Sequence, residues 1–284
     1  MNLLSNDLIE IGILSLGAEL RSVINKTSNK QYIWQADASV WNRSSPVLFP
    51  FVGRLKNDEY RHKGKTYHLS QHGFARHCNF ELIVQTQNQL TFLLVSDEES
   101  KKVYPFDFEL ILTYTLYGNE LFLDYQVKNI GAEDMYFSIG AHPAFNTPGD
   151  LEDYSLVFEK PEAIERQIIS TGLRSNAIEK VELINNTLRL EKRLFEVDAI
   201  VAEGLNSNEI TIVNKENEKV VSVRVQDFPY YGIWSKSPYP FICLEPWVGV
   251  ADKEDATGEL SEKEGIQRLE SMEIFLRRIA FRFF

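Results

Sequence analysis

The sequence predicts an all-β fold with few short helices, and three observations predict it. Apolar residues alternate with polar ones over long stretches, the period of a half-buried strand. Aromatics make up 12% of the chain, with 18 Phe and 12 Tyr, a composition that favours pleated surfaces. Helix start and stop signals are scarce. A continuous βαβ alternation is missing, which sets a parallel α/β fold aside. The strand pattern fits either an antiparallel sandwich or a barrel. No repeat, low-complexity tract or Gly/Ser linker interrupts the chain, so residues 1–284 are expected to form a single domain.

In FELILTYTL (108–116), Phe108, Leu110, Leu112, Tyr114 and Leu116 share one face. After the turn-forming Gly118-Asn119, LFLDYQVKN sets Leu121, Leu123, Tyr125 and Val127 opposite Phe122, Asp124, Gln126 and Lys128. This predicts a hairpin with one buried face. YRHKGKTYHLS (60–70) predicts a second hairpin turning at Lys63-Gly64, and EITIVNKENEKVVSVRV (209–225) a third with a charged connection. Helix signals reduce to 260–270 and 192–201, each enough for a short helix of a turn or two. The charged stretches 96–102 (SDEESKK) and 214–219 (NKENEK) read as solvated loops.

A formal net charge of −11 argues against nucleic acid, whose phosphates require a Lys/Arg surface. An anionic substrate would need a local cluster of cations. Two cysteines, Cys78 and Cys243, are too few for a disulfide scaffold and read as free thiols. MNLLSNDLIE lacks the basic and continuously apolar regions of a signal peptide. No apolar run approaches the roughly 20 residues needed to span a bilayer, so no membrane association is expected. The expectation is a cytoplasmic protein.

Two ionisable residues stand out by context. His142, in IGAHPAFN (139–146), and Glu245, in FICLEPWVG (241–249), each sit in apolar surroundings directly before a proline. A following proline holds the backbone extended, and a buried carboxylate is costly unless it is paired. An acid–base pair fits this pattern, and so does a satisfied His–Glu contact of the core or a strand-end carboxylate at the surface. Four of the five histidines lie within 62–77, and His68 and His72 are four apart. Along strands that spacing spans roughly 13 Å, too far for one ion, so no metal is expected there. In QHGFAR (71–76), Gly73 allows a close backbone approach beside His72 and Arg76. In FPFVGRLKND (49–58), Arg54 offers planar donors for hydroxyl or carboxylate oxygens, or pairs with Asp58 at the surface. In VRVQDFPYYGIWS (223–235), Asp227 is a turn residue or an acceptor for ligand hydroxyls. The four Trp, at 34, 41, 234 and 247, lie near these segments. No phosphate-cradling glycine loop, G-x-S-x-G elbow or C-x-x-C occurs.

Taken in order, FPFVGRLKND, YRHKGKTYHLSQHGFAR, IGAHPAFN, VQDFPYYGIWS and CLEPWVG resemble the aldose 1-epimerase (galactose mutarotase-like) family, most closely its LacX-type branch. The resemblance runs from about residue 10 to 280. It implies a large antiparallel β-supersandwich with an open groove, a small-molecule sugar as partner, no cofactor, and a monomer or homodimer. It places the general acid on His142 and the general base on Glu245, with Arg54, His72 and Asp227 as ligand-binding positions; the match at Asp227 is the loosest. Arg76, beside His72, is a further candidate cation. Interconversion of the α and β anomers of a hexose is the implied activity. A hexose 6-phosphate is the alternative substrate, and a non-catalytic sugar-binding sandwich the alternative from another class. A sandwich domain of a glycoside hydrolase is disfavoured because no second domain is visible.

Overall fold

The computed structural model describes every residue except Val225 and Ser237. Two sheets dominate. The larger has nine strands in the spatial order Thr187–Arg189, Tyr154–Phe158, Glu209–Asn214, Lys219–Arg224, Ile274–Phe283, Glu120–Asn129, Phe108–Tyr117, Gln89–Val95 and Glu81–Gln85. The smaller has six. Ile200–Glu203, Tyr230–Trp234, Phe241–Val248, Ile139–Ala141 and Val47–Leu48 follow one another, and Ala144–Asn146 also pairs with Phe241–Val248. Every strand-to-strand pairing among the described residues is antiparallel.

The alternation in 108–128 is realised residue by residue. Leu121 pairs with Leu116, Leu123 with Tyr114, Tyr125 with Leu112 and Val127 with Leu110, and all eight are buried. The turn forms at Gly118, whose φ of 58° lies in the left-handed region that glycine adopts without strain. The second hairpin pairs Glu59–His62 with Lys65–His68 around Lys63 and Gly64, both at positive φ. The third pairs Glu209–Asn214 with Lys219–Arg224; its expected last residue, Val225, lies outside the described residues. One apolar cluster contains Leu110 and Tyr125 of the nine-stranded sheet and Ile233, Ile242, Leu244 and Ile139 of the six-stranded one, so the two sheets share a core.

Three local expectations are corrected. The stretch 96–102 is not all loop: Glu98–Val103 is an α-helix. Asp97 accepts from the Ser100 amide at 2.7 Å and the Ser100 hydroxyl accepts from the Asp97 amide at 2.8 Å, a reciprocal capping box that offsets the short length. Of 260–270, only Leu260–Glu262 is helical, a single 3-10 turn, and Gln267–Leu269 is a strand. Of 192–201, Lys192–Phe195 is a 3-10 turn, after which Ile200–Glu203 joins the smaller sheet. In both cases tertiary strand pairing overrides weak helix propensity. The stretch 214–219 is the expected turn, held by Asn214, whose side chain accepts from the Glu216 and Glu218 amides.

No described helix is long and apolar enough to cross a membrane.

Candidate active site

Strand Phe241–Val248 is buried along its whole length on both faces. Its even residues Ile242, Leu244 and Val248 enter the shared core. Its odd residues face the other way, because successive strand side chains alternate. Phe241 and Cys243 join a cluster with Val40, Ala144 and the half-buried Trp34, Trp41 and Trp234. Trp247 joins another with Leu48, Val52, Val201, Tyr230 and Val250. Glu245 lies between the two clusters and lines an open pocket of about 890 Å³, the solvent space at its entrance included.

His142 arrives from the neighbouring strand segment. Gly140 is opposite Trp247 and Ala144 is opposite Cys243, so His142 falls opposite Glu245. Pro143 is fixed in this path, its carbonyl accepting from the Leu244 amide at 3.2 Å. The His142 Nε2 stands 3.2 Å from Glu245 Oε2. Trp41 lies against the imidazole with ring centroids 4.9 Å apart, and Trp234 meets it edge-on at 5.7 Å.

Burial sets the charge of this pair. It pulls the His142 imidazole down to about 3. It pushes the Glu245 carboxyl well up, reinforced by the negative charge of Asp198. Burial thus favours the uncharged form of each, imidazole with carboxylic acid, which has the same net charge as imidazolium with carboxylate.

His72 completes one wall. Its backbone amide donates to the Gly53 carbonyl at 2.9 Å, and its Nδ1 accepts from the Gly53 amide at 3.1 Å. Nδ1 is therefore the acceptor, which leaves the ring proton on Nε2. Burial, then His142 and Arg76, hold its pKa well below the free value, so it is neutral. Gly73 must be a glycine: its φ is 68° and a Cβ would overlap the Phe49 carbonyl. Arg76 donates from Nη2 to the Gln71 carbonyl at 2.7 Å, while its Nε is buried without a partner. Burial and Arg43 lower its pKa to about 10, which still leaves it cationic at neutral pH.

His142, Glu245, His72 and Arg76 thus line one pocket. The other two expected residues do not. Arg54 turns to Asp58, bonding its carboxylate through Nε at 2.8 Å and Nη2 at 2.7 Å, and donates from Nη1 to the Thr171 carbonyl at 2.9 Å. The surface pairing open from the residues is the one formed, and it leaves Arg54 behind Gly172 at the rim. Asp227 is exposed in the turn that carries the chain from one sheet to the other, with φ at 68° and its carbonyl accepting from Arg277. It lines a separate groove with Phe122 and Arg278 on the outer side of the nine-stranded sheet.

Two pocket residues escaped the sequence reading. Asp198, with φ at 123°, sits just before Ile200–Glu203, in a stretch read as helical. Arg174, only 2% exposed, comes from the hairpin Ile164–Ser170 and Leu173–Val181. It donates to the Ala251 carbonyl, Gln167 and Glu264, yet keeps Nη2 unpartnered. Their signals were local and weak: an Asp preceding an apolar strand, and an Arg just after a Thr-Gly turn.

Buried polar atoms without partners concentrate here. Among the described residues, Arg76 Nε, His142 Nδ1, Arg174 Nη2, Glu245 Oε2 and Trp247 Nε1 are such atoms, and all five residues line this pocket. Buried polar groups are normally hydrogen-bonded, so the cluster calls for an oxygen-rich ligand.

An imidazole–carboxyl pair in an aromatic-walled polar pocket of an antiparallel two-sheet protein has the makings of an acid–base site. The profile of the family described as aldose 1-epimerase matches residues 2–257. The chromosomal protein LacX of Lactococcus lactis subsp. lactis is 34% identical over 281 residues, covering 94% of this chain and 93% of LacX. The crystal structure of a galactose mutarotase related enzyme from Lactobacillus acidophilus superposes with a TM-score of 0.95 at 37% identity, covering 100% of this chain and 97% of that one. A galactose mutarotase-like protein from Lactobacillus casei ATCC 334 gives a TM-score of 0.95 at 30% identity, with 100% of both chains covered. The chain belongs to the aldose 1-epimerase family, and its fold is the galactose mutarotase-like β-supersandwich.

Proposed function

We propose that this chain, acting as one domain, is an aldose 1-epimerase that interconverts the α and β anomers of a hexose by opening and reclosing the ring. The observation that carries this reading is the His142–Glu245 pair, 3.2 Å apart in a pocket whose polar atoms lack partners. Glu245 as carboxylate takes the proton of the O1 hydroxyl. His142 as imidazolium gives a proton to the ring oxygen, and the C1–O5 bond breaks to leave the free aldehyde. Rotation about C1–C2 presents the other carbonyl face, and the transfers run backwards on closure. The pair begins as imidazolium and carboxylate and ends as imidazole and carboxylic acid, so its proton count never changes. Because burial favours the uncharged forms, the pair is biased towards the protonation of the ring-opened state.

Each positioned proton-transfer group contributes about 10²–10⁴-fold. The Nε2 proton of His72 and the free donors of Arg76 and Arg174 are suited to orient hydroxyls, and placement supplies a further part of the rate. Trp41, Trp234 and Trp247 offer ring faces and edges to the C–H surfaces of a pyranose. The test is anomer exchange followed by polarimetry or exchange NMR on galactose and glucose, with Glu245→Gln and His142→Asn. Near-wild-type rates in either variant would remove that residue from its role.

One observation favours a second reading, a hexose 6-phosphate as substrate. In a molecule of net charge −11, the pocket wall presents two guanidinium groups with free donors, while its carboxyls Glu245 and Asp198 are both shifted towards protonation by burial. Arginine suits phosphate. Exchange rates on glucose and glucose 6-phosphate, with Arg174→Gln as probe, separate the two. A selective rise in KM for the phosphorylated sugar supports the second reading.

A further inference from the structure

The acid–base pair has a third neighbour that ring opening does not use. Cys243 lies two residues before Glu245 on strand Phe241–Val248 and therefore on the same face. It is also opposite Ala144, two residues after His142. The Cys243 sulfur, one imidazole nitrogen of His142 and one carboxylate oxygen of Glu245 lie within 4.8 Å of one another. Cys243 is fully buried, and no hydrogen bond engages its sulfur among the described residues. His142 Nδ1 and Glu245 Oε2 likewise lack hydrogen-bond partners.

We infer that this trio is a site for a thiophilic divalent cation such as Zn²⁺, and that filling it arrests turnover. Imidazole nitrogen, thiolate sulfur and carboxylate oxygen are all zinc ligands, and three of them leave a fourth tetrahedral position for water. Zinc–ligand bonds of about 2.0–2.3 Å place adjacent donors roughly 3.3–3.6 Å apart. The Nε2–Oε2 separation of 3.2 Å is within about 0.1 Å of that range, and the sulfur, within 4.8 Å of both other donors, would close in by rotation about the Cα–Cβ bond of Cys243. His142 and Glu245 both line the pocket, which provides the entry path. Coordination displaces the Cys243 thiol proton and the Glu245 carboxyl proton, leaving thiolate, carboxylate and neutral imidazole on the metal. Neither the acid nor the base is then free. Binding itself follows from the donor geometry; only the inhibitory consequence rests on the epimerase reading.

The test uses the full chain in a Cys78→Ala background, because Cys78 is the other free thiol. Co²⁺ is titrated as a spectroscopic probe and the thiolate-to-cobalt absorption followed, with and without Cys243→Ala or the near-isosteric Cys243→Ser. Zn²⁺ inhibition of galactose anomer exchange is measured on the same proteins. The thiolate band is expected with Cys243 present and lost in both variants. The half-inhibitory Zn²⁺ concentration should rise in the variants by more than the roughly 10–100-fold that loss of an outer-shell partner causes, at unchanged metal-free turnover. No thiolate band with Cys243 in place, or equal zinc sensitivity with and without it, overturns the inference. A band in a protein that accelerates no anomer exchange leaves the cation site standing and sinks the epimerase reading alone.

Discussion

Burial disfavours the charged form of both His142 and Glu245, so the imidazole is held neutral and the carboxyl protonated. That makes the pH profile diagnostic. The acid limb of kcat/KM reports the pair gaining a second proton, and burial has pulled the imidazole to about 3 from 6.5. Activity should therefore persist well below the range in which a free histidine titrates. A limb centred near 6.5 would contradict the environment described. The alkaline limb reports the pair losing its proton, and Asp198 helps to hold that proton by raising Glu245. Asp198→Asn should move this limb to lower pH, as a rate profile would show. Glu245→Gln should cut the exchange rate by about 10²–10⁴-fold with no drop in unfolding midpoint, because the amide fills the same space. The prolines made His142 and Glu245 conspicuous in the sequence. Arg174 was not conspicuous, because nothing near it reveals that a distant hairpin carries it into the pocket. Arg54 shows the opposite difficulty, a residue in the expected place whose side chain prefers Asp58 four residues on.

Among the elements, the hairpin 108–128 was the most legible, since ten-residue strands with strict alternation specify both face and register. The helix Glu98–Val103 was less so, because its signal is a reciprocal pair of hydrogen bonds and its six residues carry no apolar stripe. Asp97→Ala should lower stability by about 1 kcal/mol in urea unfolding and leave anomer exchange untouched, the helix being outside the pocket. Strand Tyr230–Trp234 places Gly232 opposite Glu245. A Cβ there would come within 2.6 Å of the Trp247 ring and 3.2 Å of Glu245 Cβ. Gly232→Ala should cost about 1–3 kcal/mol through overpacking and depress turnover as well. Full activity with unchanged stability would show that the indole yields without disturbing the carboxyl.

Across the whole molecule, strand alternation announced an antiparallel protein, but the order of strands within each sheet was invisible, because it depends on crossings between distant segments. One tie across those segments is the buried pair Lys263 and Asp252, 2.7 Å apart and 4% and 6% exposed. Lys263 also donates to the Val250 carbonyl, and Asp252 accepts from the Lys56 amide. The pair thereby pins the Val250–Ala251 wall of the pocket to the segment carrying Gly53. Lys263→Met leaves Asp252 buried and unpaired and should cost about 3–5 kcal/mol. Adding Asp252→Leu should recover much of that loss in chemical denaturation, though with Lys56 left unsatisfied the rescue will be incomplete.

The imidazole and the carboxyl hang from adjoining ribbons in the middle of a sheet, whereas Arg76 and Arg174 reach the pocket from a short 3-10 turn and an outlying hairpin. On the proposed reading, proton transfer and sugar choice are mounted on separate parts. Exchanging the 164–181 segment between relatives should retarget the catalyst to a different monosaccharide while its proton-transfer step proceeds as before.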